Sequence, residues 1–256
     1  MLNLDIDARG VAFVTLNRPE VHNAFDERLI AELTRTFIEL EANDAVRLAV
    51  IAGEGKSFCA GGDLNWMRSM KNFSREENIA DSERLSDMYA TIDGFSKPLL
   101  CIVHGAALGG GSGLAAVCDF VIASEDAKFG FTETRLGILP AVIGPYAIRK
   151  IGLSNARAYF ISGMPITAEC AKEMGLAHRI VPRAELEQAR DGLILEFLKA
   201  APGAARKAKA LIRTIATPAV DVTKETIDAI VDARISAEGQ EGMDALLTGR
   251  NAAWMP

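Results

Sequence analysis

Two stretches of the chain, "SFCAGGDL" (residues 57–64) and "HGAALGGGSGLAAVCDF" (104–120), put bare backbone where chemistry could be done. Each leads from an apolar run into a helical pattern, so each leaves unpaired N–H groups at a helix start, with the positive end of the helix dipole behind them. Two such sets of amides can hold an oxyanion as its charge develops. For either stretch alone, glycines that only permit close packing are an equal alternative. Gly111, Gly113 and Ala116 also match G-x-G-x-x-A, the loop of dinucleotide sites. That loop needs its first glycine at the end of a strand, whereas six residues separate His104 from Gly111, and Glu125 and Asp126 follow the next strand too closely.

The elements that must position these loops read as alternating strands and helices. "VAFVTLN" (11–17) is a strand stopped by "RPE", because proline cannot donate into a ladder and Arg18 is pushed extended. Asp26 caps a helix with Leu29, Ile30, Leu33, Phe37 and Leu40 at helical spacing. "LAVIAG" (48–53), "PLLCIVHG" (98–105), "CDFVIAS" (118–124) and "AKFGF" (127–131) read as strands, and a long polar-mixed helical stretch runs from Asp63 toward Phe95 with a break near 71–74. Pro98 to Cys118 carries no charged side chain and is long enough for a membrane span, but its clustered glycines and "HG" turn divide it into strand, loop and helix. The pattern predicts an α/β fold with stacked, mostly parallel sheets. After "AHRIVP" (177–182) the chain reads as helical over 185–199, 203–215 and 220–247, with a domain boundary near residue 200.

Composition narrows the partners. The 256 residues carry 34 acidic and 28 basic side chains, a formal charge of −6, with no long basic run; nucleic acid is not an expected partner. Cys59, Cys101, Cys118 and Cys170 stand apart in apolar contexts without CxxC pairs or metal-ligand spacing, which predicts buried reduced thiols, a cytoplasmic setting and no metal. The start, "MLNLDIDARG", has acidic residues where a signal peptide would be basic, so neither targeting segment nor membrane is expected.

Taken together, six segments resemble the enoyl-CoA hydratase/isomerase (crotonase) family, in family order: "VTLNRPEVHNAFD", "GEGKSFCAGGDL", "KPLLCIVHGAALGGGSGLAAVCD", "AKFGFTETRLGILP", "GLAHRIVP" and "LLTGRNAAW". The resemblance implies a crotonase-like spiral of repeated ββα units over residues 1–200, and a C-terminal helical region over 201–256 used to assemble trimers or hexamers. It also implies an acyl-CoA thioester substrate, with coenzyme A as part of that substrate and no separate cofactor. Carried over by position, the N–H groups of Gly62 and Gly110 would form an oxyanion hole for the thioester carbonyl. Ala60, Gly61, Asp63 and Leu64 would touch the coenzyme, His22 and Ala24 would line its channel, and Gly109 and Gly113 would be further substrate-binding positions.

Of the two glutamates that the family's hydratases use, the second corresponds to Glu133 in "FTETRLG". Near Phe131, Leu136 and Ile138 its carboxyl would be desolvated and its pKa raised, which suits proton exchange near neutrality. A dipole-stabilised glutamate at a helix start is the alternative. The first glutamate is replaced by Gly113. The resemblance therefore implies hydration of an enoyl-CoA with Glu133 alone, with a Δ3,Δ2-enoyl-CoA isomerase or a non-catalytic acyl-CoA scaffold as alternatives, in fatty-acid or branched-chain amino-acid breakdown. "GGDLNWMRSM", "GGGSGL" and "FTETRLGILPAVIGPYAIRK" look nearest to methylglutaconyl-CoA hydratases, whose substrate carries a second carboxylate; Arg135 is the nearest cation, with a helix-surface role as the commoner one. Trp66, Met67 and Met70 are candidates for the acyl pocket or for core packing. His104 reads as a satisfied buried histidine, Asp63 and Asp119 as turn-pinning carboxylates, and Arg206, Lys207 and Lys209 as either a phosphate contact or a solvated helix face.

Overall fold

A computed structural model describes residues 1–70, 72–216 and 236–255. Contacts divide the chain into two units, one of Met1–Phe95 with Leu99–Arg190 and one of Ser96–Pro98 with Asp191–Pro256. The first holds two sheets. In the larger, β1 (Leu2–Ile6), β2 (Val11–Leu16), β3 (Leu48–Gly53), β4 (Leu99–Val103), β6 (Phe120–Ser124) and β9 (Arg179–Val181) lie in the order β1-β2-β3-β4-β6-β9. Only β1 is antiparallel; the other strands run parallel, with Val11 opposite Leu48, Val50 opposite Leu100 and Leu100 opposite Phe120. Every residue of β4 is buried, as befits a central parallel strand covered on both faces. The smaller sheet pairs β5 (Ala106–Leu108) with β7 (Lys128–Gly130) in parallel and β7 with β8 (Ile166–Thr167) in antiparallel. Each time the chain leaves the larger sheet after β4 or β6 it adds a strand to the smaller one, the repeat expected of a crotonase-like spiral.

The helices follow from local chemistry. Asp26 accepts from the Leu29 N–H and starts α1 (Glu27–Ala42), a cap whose loss costs about 1 kcal/mol, and the apolar stripe from Leu29 to Leu40 is buried as its spacing predicts. The stretch after Asp63 divides into α2 (Leu64–Met70) and α3 (Arg75–Gly94), the second opened by a capping box of Ser74 and Glu77. α4 (Gly110–Val117) is buried almost throughout, and α5 (Gly144–Ser162) turns at Gly152, where φ is +77°. α6 (Ala168–Glu173) leads into β9. β1 and β5 were not foreseen: β1 is largely exposed and weakly patterned, and β5 has three residues, "AAL".

α7 (Leu186–Leu198) carries the chain from the first unit into the second, which also contains α8 (Pro202–Ile215) and α9 (Ala237–Thr248). There the Glu238 carboxylate accepts from the N–H groups of Gly203 and Ala204, both at 2.9 Å, and so caps the start of α8. Much of the helix expected over 220–247 falls on residues 217–235, which lie outside the described residues; 237–248 are helical. No described helix is long and apolar enough to cross a membrane.

Candidate active site

The two glycine loops meet. Phe25 donates to the Gly61 carbonyl at 2.7 Å and accepts from the Asp63 N–H at 2.8 Å, so Gly62 sits on a rung beside Phe25. Cys59 donates to Ala106 and accepts from Leu108, joining this loop to β5, and Gly109 donates to Gly130. The backbones are so close that a Cβ on Gly111 would lie 2.2 Å from the Cys59 carbonyl oxygen. Gly109 turns the chain into α4 at φ +49°, a conformation that glycine tolerates best. Among the described residues, no hydrogen bond takes up the N–H of Gly62 or of Gly110. Two donors, at the start of a buried helix and in its facing loop, are thus without a partner among the described residues.

The loop holding Gly62 is braced by residues whose part sequence patterns did not show. Asn23, fully buried, donates through Nδ2 to the carbonyls of Glu54 and Ser57 and accepts the Arg18 N–H at 2.8 Å. His22 and Asn23 both have positive φ, +53° and +55°, which brings the His22 carbonyl to the Ala60 N–H at 3.0 Å. Arg18 reaches Asp26 and Asp63 at 3.1 and 3.0 Å and donates to the Ala24 carbonyl. Burial pushes the Asp63 carboxyl up, but the N–H groups of Asn65 and Trp66 and the Arg18 guanidinium outweigh it and hold its pKa below the ordinary value. Asp63 therefore pins the turn. His22, Ala24 and Asp63 support the loop without lining the cavity beneath it, and Leu64 is exposed.

That cavity, of about 340 Å³, is lined by Ala60, Gly61, Gly62, Gly109, Gly110 and Glu133 of the residues expected at a site. Glu133 opens a 3₁₀ turn, Glu133–Leu136, and its Oε2 is buried without a hydrogen-bond partner among the described residues. Burial raises its pKa above the ordinary 4.5, only partly offset by its own backbone N–H. A Cβ on Gly109 would lie 3.1 Å from Glu133 Oε1, so the carboxyl packs directly on the glycine turn. Trp66, Met67 and Met70 line the cavity, as do Leu136 and Ile138, and Trp66 also packs against the core.

Gly113 does not reach the cavity. A Cβ there would stand 2.6 Å from Ile143 Cγ2 and 3.0 Å from the Tyr89 hydroxyl, which itself donates to the Gly110 carbonyl at 2.7 Å. The room that a second acidic side chain would need is occupied by isoleucine and tyrosine. Arg135 takes the commoner, surface role: it is exposed, its Nε points to the Ser162 carbonyl at 3.4 Å, and it is not on the wall, which instead carries Asp81 and Ser82 of α3. His104 Nε2 meets the Gly55 carbonyl, and burial, with Arg183 next, lowers its pKa. Asp119 accepts the Leu99 N–H and pins the start of β4. Arg206 and Lys209 are tied to the Ser96 hydroxyl and the Lys97 carbonyl, so this cluster is not simply a solvated face.

Known proteins share this architecture. The chain is similar to an enoyl-CoA hydratase of Shewanella pealeana, at 34% identity and a TM-score of 0.94 over 99% of this chain and 95% of that one. An enoyl-CoA hydratase of Mycobacterium smegmatis gives 31% identity and a TM-score of 0.93 over 99% and 98%. By sequence, the enoyl-CoA hydratase AFT6-1 of Alternaria alternata is 34% identical over 205 residues, 80% of this chain and 67% of its own length. The model of the enoyl-CoA hydratase/isomerase family matches residues 7–255. With its spiral of paired sheets and its glycine loops facing one carboxyl, the chain belongs to the enoyl-CoA hydratase/isomerase family.

Proposed function

We propose that the chain hydrates the 2,3 double bond of an enoyl-CoA thioester, with Glu133 as the single acid/base group. The observation that carries this reading is the Glu133 carboxyl: held in an apolar wall, raised in pKa and with one oxygen unpartnered, it stands in the same cavity as the free N–H groups of Gly62 and Gly110. The thioester carbonyl accepts from those two amides. The Glu133 carboxylate takes a proton from water as the water oxygen bonds to C3, and the π electrons move through C2 to the carbonyl oxygen. The resulting enolate is where the two preformed donors contribute most, since the charge they face exists only after the bond forms. The same carboxyl then returns a proton to C2, so hydrogen and hydroxyl have been added and Glu133 is again ionised. A raised pKa brings its proton affinity closer to what both steps need.

A second reading has its own support. With Ile143 and Tyr89 where another carboxyl would stand, one base that carries a proton between the α and γ carbons makes a Δ3,Δ2-enoyl-CoA isomerase. Incubation with 2-enoyl- and 3-enoyl-CoA esters in heavy water, followed by NMR and mass spectrometry, separates the two. A 3-hydroxyacyl product without double-bond migration supports hydration; migration without hydration overturns it. Binding of every ester with turnover of none would point to a non-catalytic acyl-CoA scaffold. By family likeness we extend the proposal to a trimer or hexamer built with residues 201–256 and to a cytoplasmic enzyme; sedimentation equilibrium measures the first.

A further inference from the structure

The cavity wall is apolar along Met67, Leu85, Val142 and Ile143, but α3 interrupts it with Asp81 and Ser82. The fold does not explain Asp81. It lies well inside α3, beyond the Ser74 cap, where aspartate is a poor helix former, and it is only 6% exposed. Among the described residues its one ion pair is with Arg84, whose Nη2 reaches Oδ1 at 2.8 Å. The Arg84 side chain is 51% exposed and spends its charge largely on water, while that of Asp81 is 9% exposed. No hydrogen bond from a described residue reaches Asp81 Oδ2. A carboxylate accepts hydrogen bonds and donates none, so on the cavity wall this oxygen can accept from a donor on whatever occupies the cavity and repels an anion placed there.

We infer that Asp81 is a specificity-determining residue: it accepts a hydrogen bond from a hydroxyl on the acyl chain and rejects acyl chains that carry a carboxylate. The inference rests on the acyl-CoA reading above and deepens it, and it opposes a glutaconyl-type substrate. The test uses 2-enoyl-CoA esters of five to eight carbons in sets matched for length, ending in a methyl, a hydroxymethyl or a carboxylate group. Hydration is followed for the unaltered protein and for Asp81→Asn, Asp81→Leu and Arg84→Met. In the unaltered protein kcat/KM for the best hydroxyl ester exceeds its methyl counterpart by about tenfold, the scale of a hydrogen bond to a charged group, and the carboxylate ester falls at least about tenfold below the methyl ester. Asp81→Asn, which offers a donor, restores the carboxylate ester relative to the methyl one; Asp81→Leu removes the hydroxyl preference; Arg84→Met sharpens rejection of the carboxylate. A carboxylate ester used as well as the methyl ester by the unaltered protein, or ester ratios that none of the three variants moves, would overturn the inference. The same ratios are read by calorimetry from binding of the saturated acyl-CoA esters, which needs no turnover. Failure of the hydratase reading therefore leaves this test standing.

Discussion

Replacing Gly113 by alanine tests whether the missing carboxyl is a matter of space. The new Cβ would meet Ile143 Cγ2 at 2.6 Å, Ile143 Cβ at 3.1 Å and the Tyr89 hydroxyl at 3.0 Å, against about 3.5–4.0 Å for comfortable carbon contacts. Neither neighbour can retreat easily. Ile143 is 3% exposed, β-branched and held at the start of α5, while Tyr89 is fully buried with its hydroxyl committed to the Gly110 carbonyl. Overpacking of this kind costs about 1–3 kcal/mol, and displacing the tyrosine hydroxyl would strand a buried donor at a further cost of about 1–3 kcal/mol. Alanine's better helix propensity returns about 1 kcal/mol inside α4. The net expectation is a loss of about 1–5 kcal/mol, read by urea denaturation. Ile143→Ala removes the offending methyl and leaves a cavity of its own, so the double variant should be more stable than the sum of the single losses predicts by about 1 kcal/mol or more. A Gly113→Ala protein as stable as the parent, or more so, refutes the crowding argument and returns the absence of a second carboxyl to chance or to chemistry.

Three further outcomes follow from the site. Glu133→Gln should lower kcat about 10²–10⁴-fold while acyl-CoA binding, followed by calorimetry, persists. It should also stabilise the protein at neutral pH: the folded pKa is raised above 4.5, so the cost of the buried charge is fully present above the folded pKa and vanishes below the unfolded one. For the same reason the acid limb of kcat/KM should lie above pH 4.5 and disappear in that variant. Gly109→Ala, strained at φ +49° and ψ −115° and pressed on Glu133 Oε1, should cut turnover far more than Gly137→Ala, whose Cβ meets nothing within 4 Å and whose φ of +75° and ψ of 14° lie in the milder left-handed region. Asp63, with its pKa depressed, contributes stability that is present above its unfolded value near 3.8 and lost as pH falls through the folded one; Asp63→Asn should flatten that part of an acid-denaturation curve.

Much of the positioning frame could be read from residue patterns because it is local. The Asp26 cap, the apolar stripe of α1, the break before Ser74 and the buried run of β4 each depend on neighbours within a few residues. The glycine loops were legible as amide donors, and Glu133 as their partner through family likeness. What escaped depends on pairs far apart in the chain. Arg18 finds Asp63 across 45 residues and Tyr89 finds Gly110 across 21, and neither residue sits in a pattern that announces a partner. Asn23 is a buried clamp whose amide spans to Glu54 and Ser57, partners more than thirty residues away. Asp81 lay in a helix with little amphipathic order, so nothing in its spacing marked it as facing a cavity.

The contact between Gly111 and the Cys59 carbonyl makes the pair of amides a gauge of atomic size. Backbone pressed on backbone leaves little slack for the Gly62 and Gly110 N–H groups to spread, so the opening between them is set by the main chain and not by adaptable side chains. If the thioester oxygen sits between them as proposed, a thiocarbonyl sulfur in its place is larger and a weaker acceptor. A dithioester analogue of an otherwise good substrate should therefore suffer most in the step that builds charge on that atom, and a chain with looser loops would forgive the exchange.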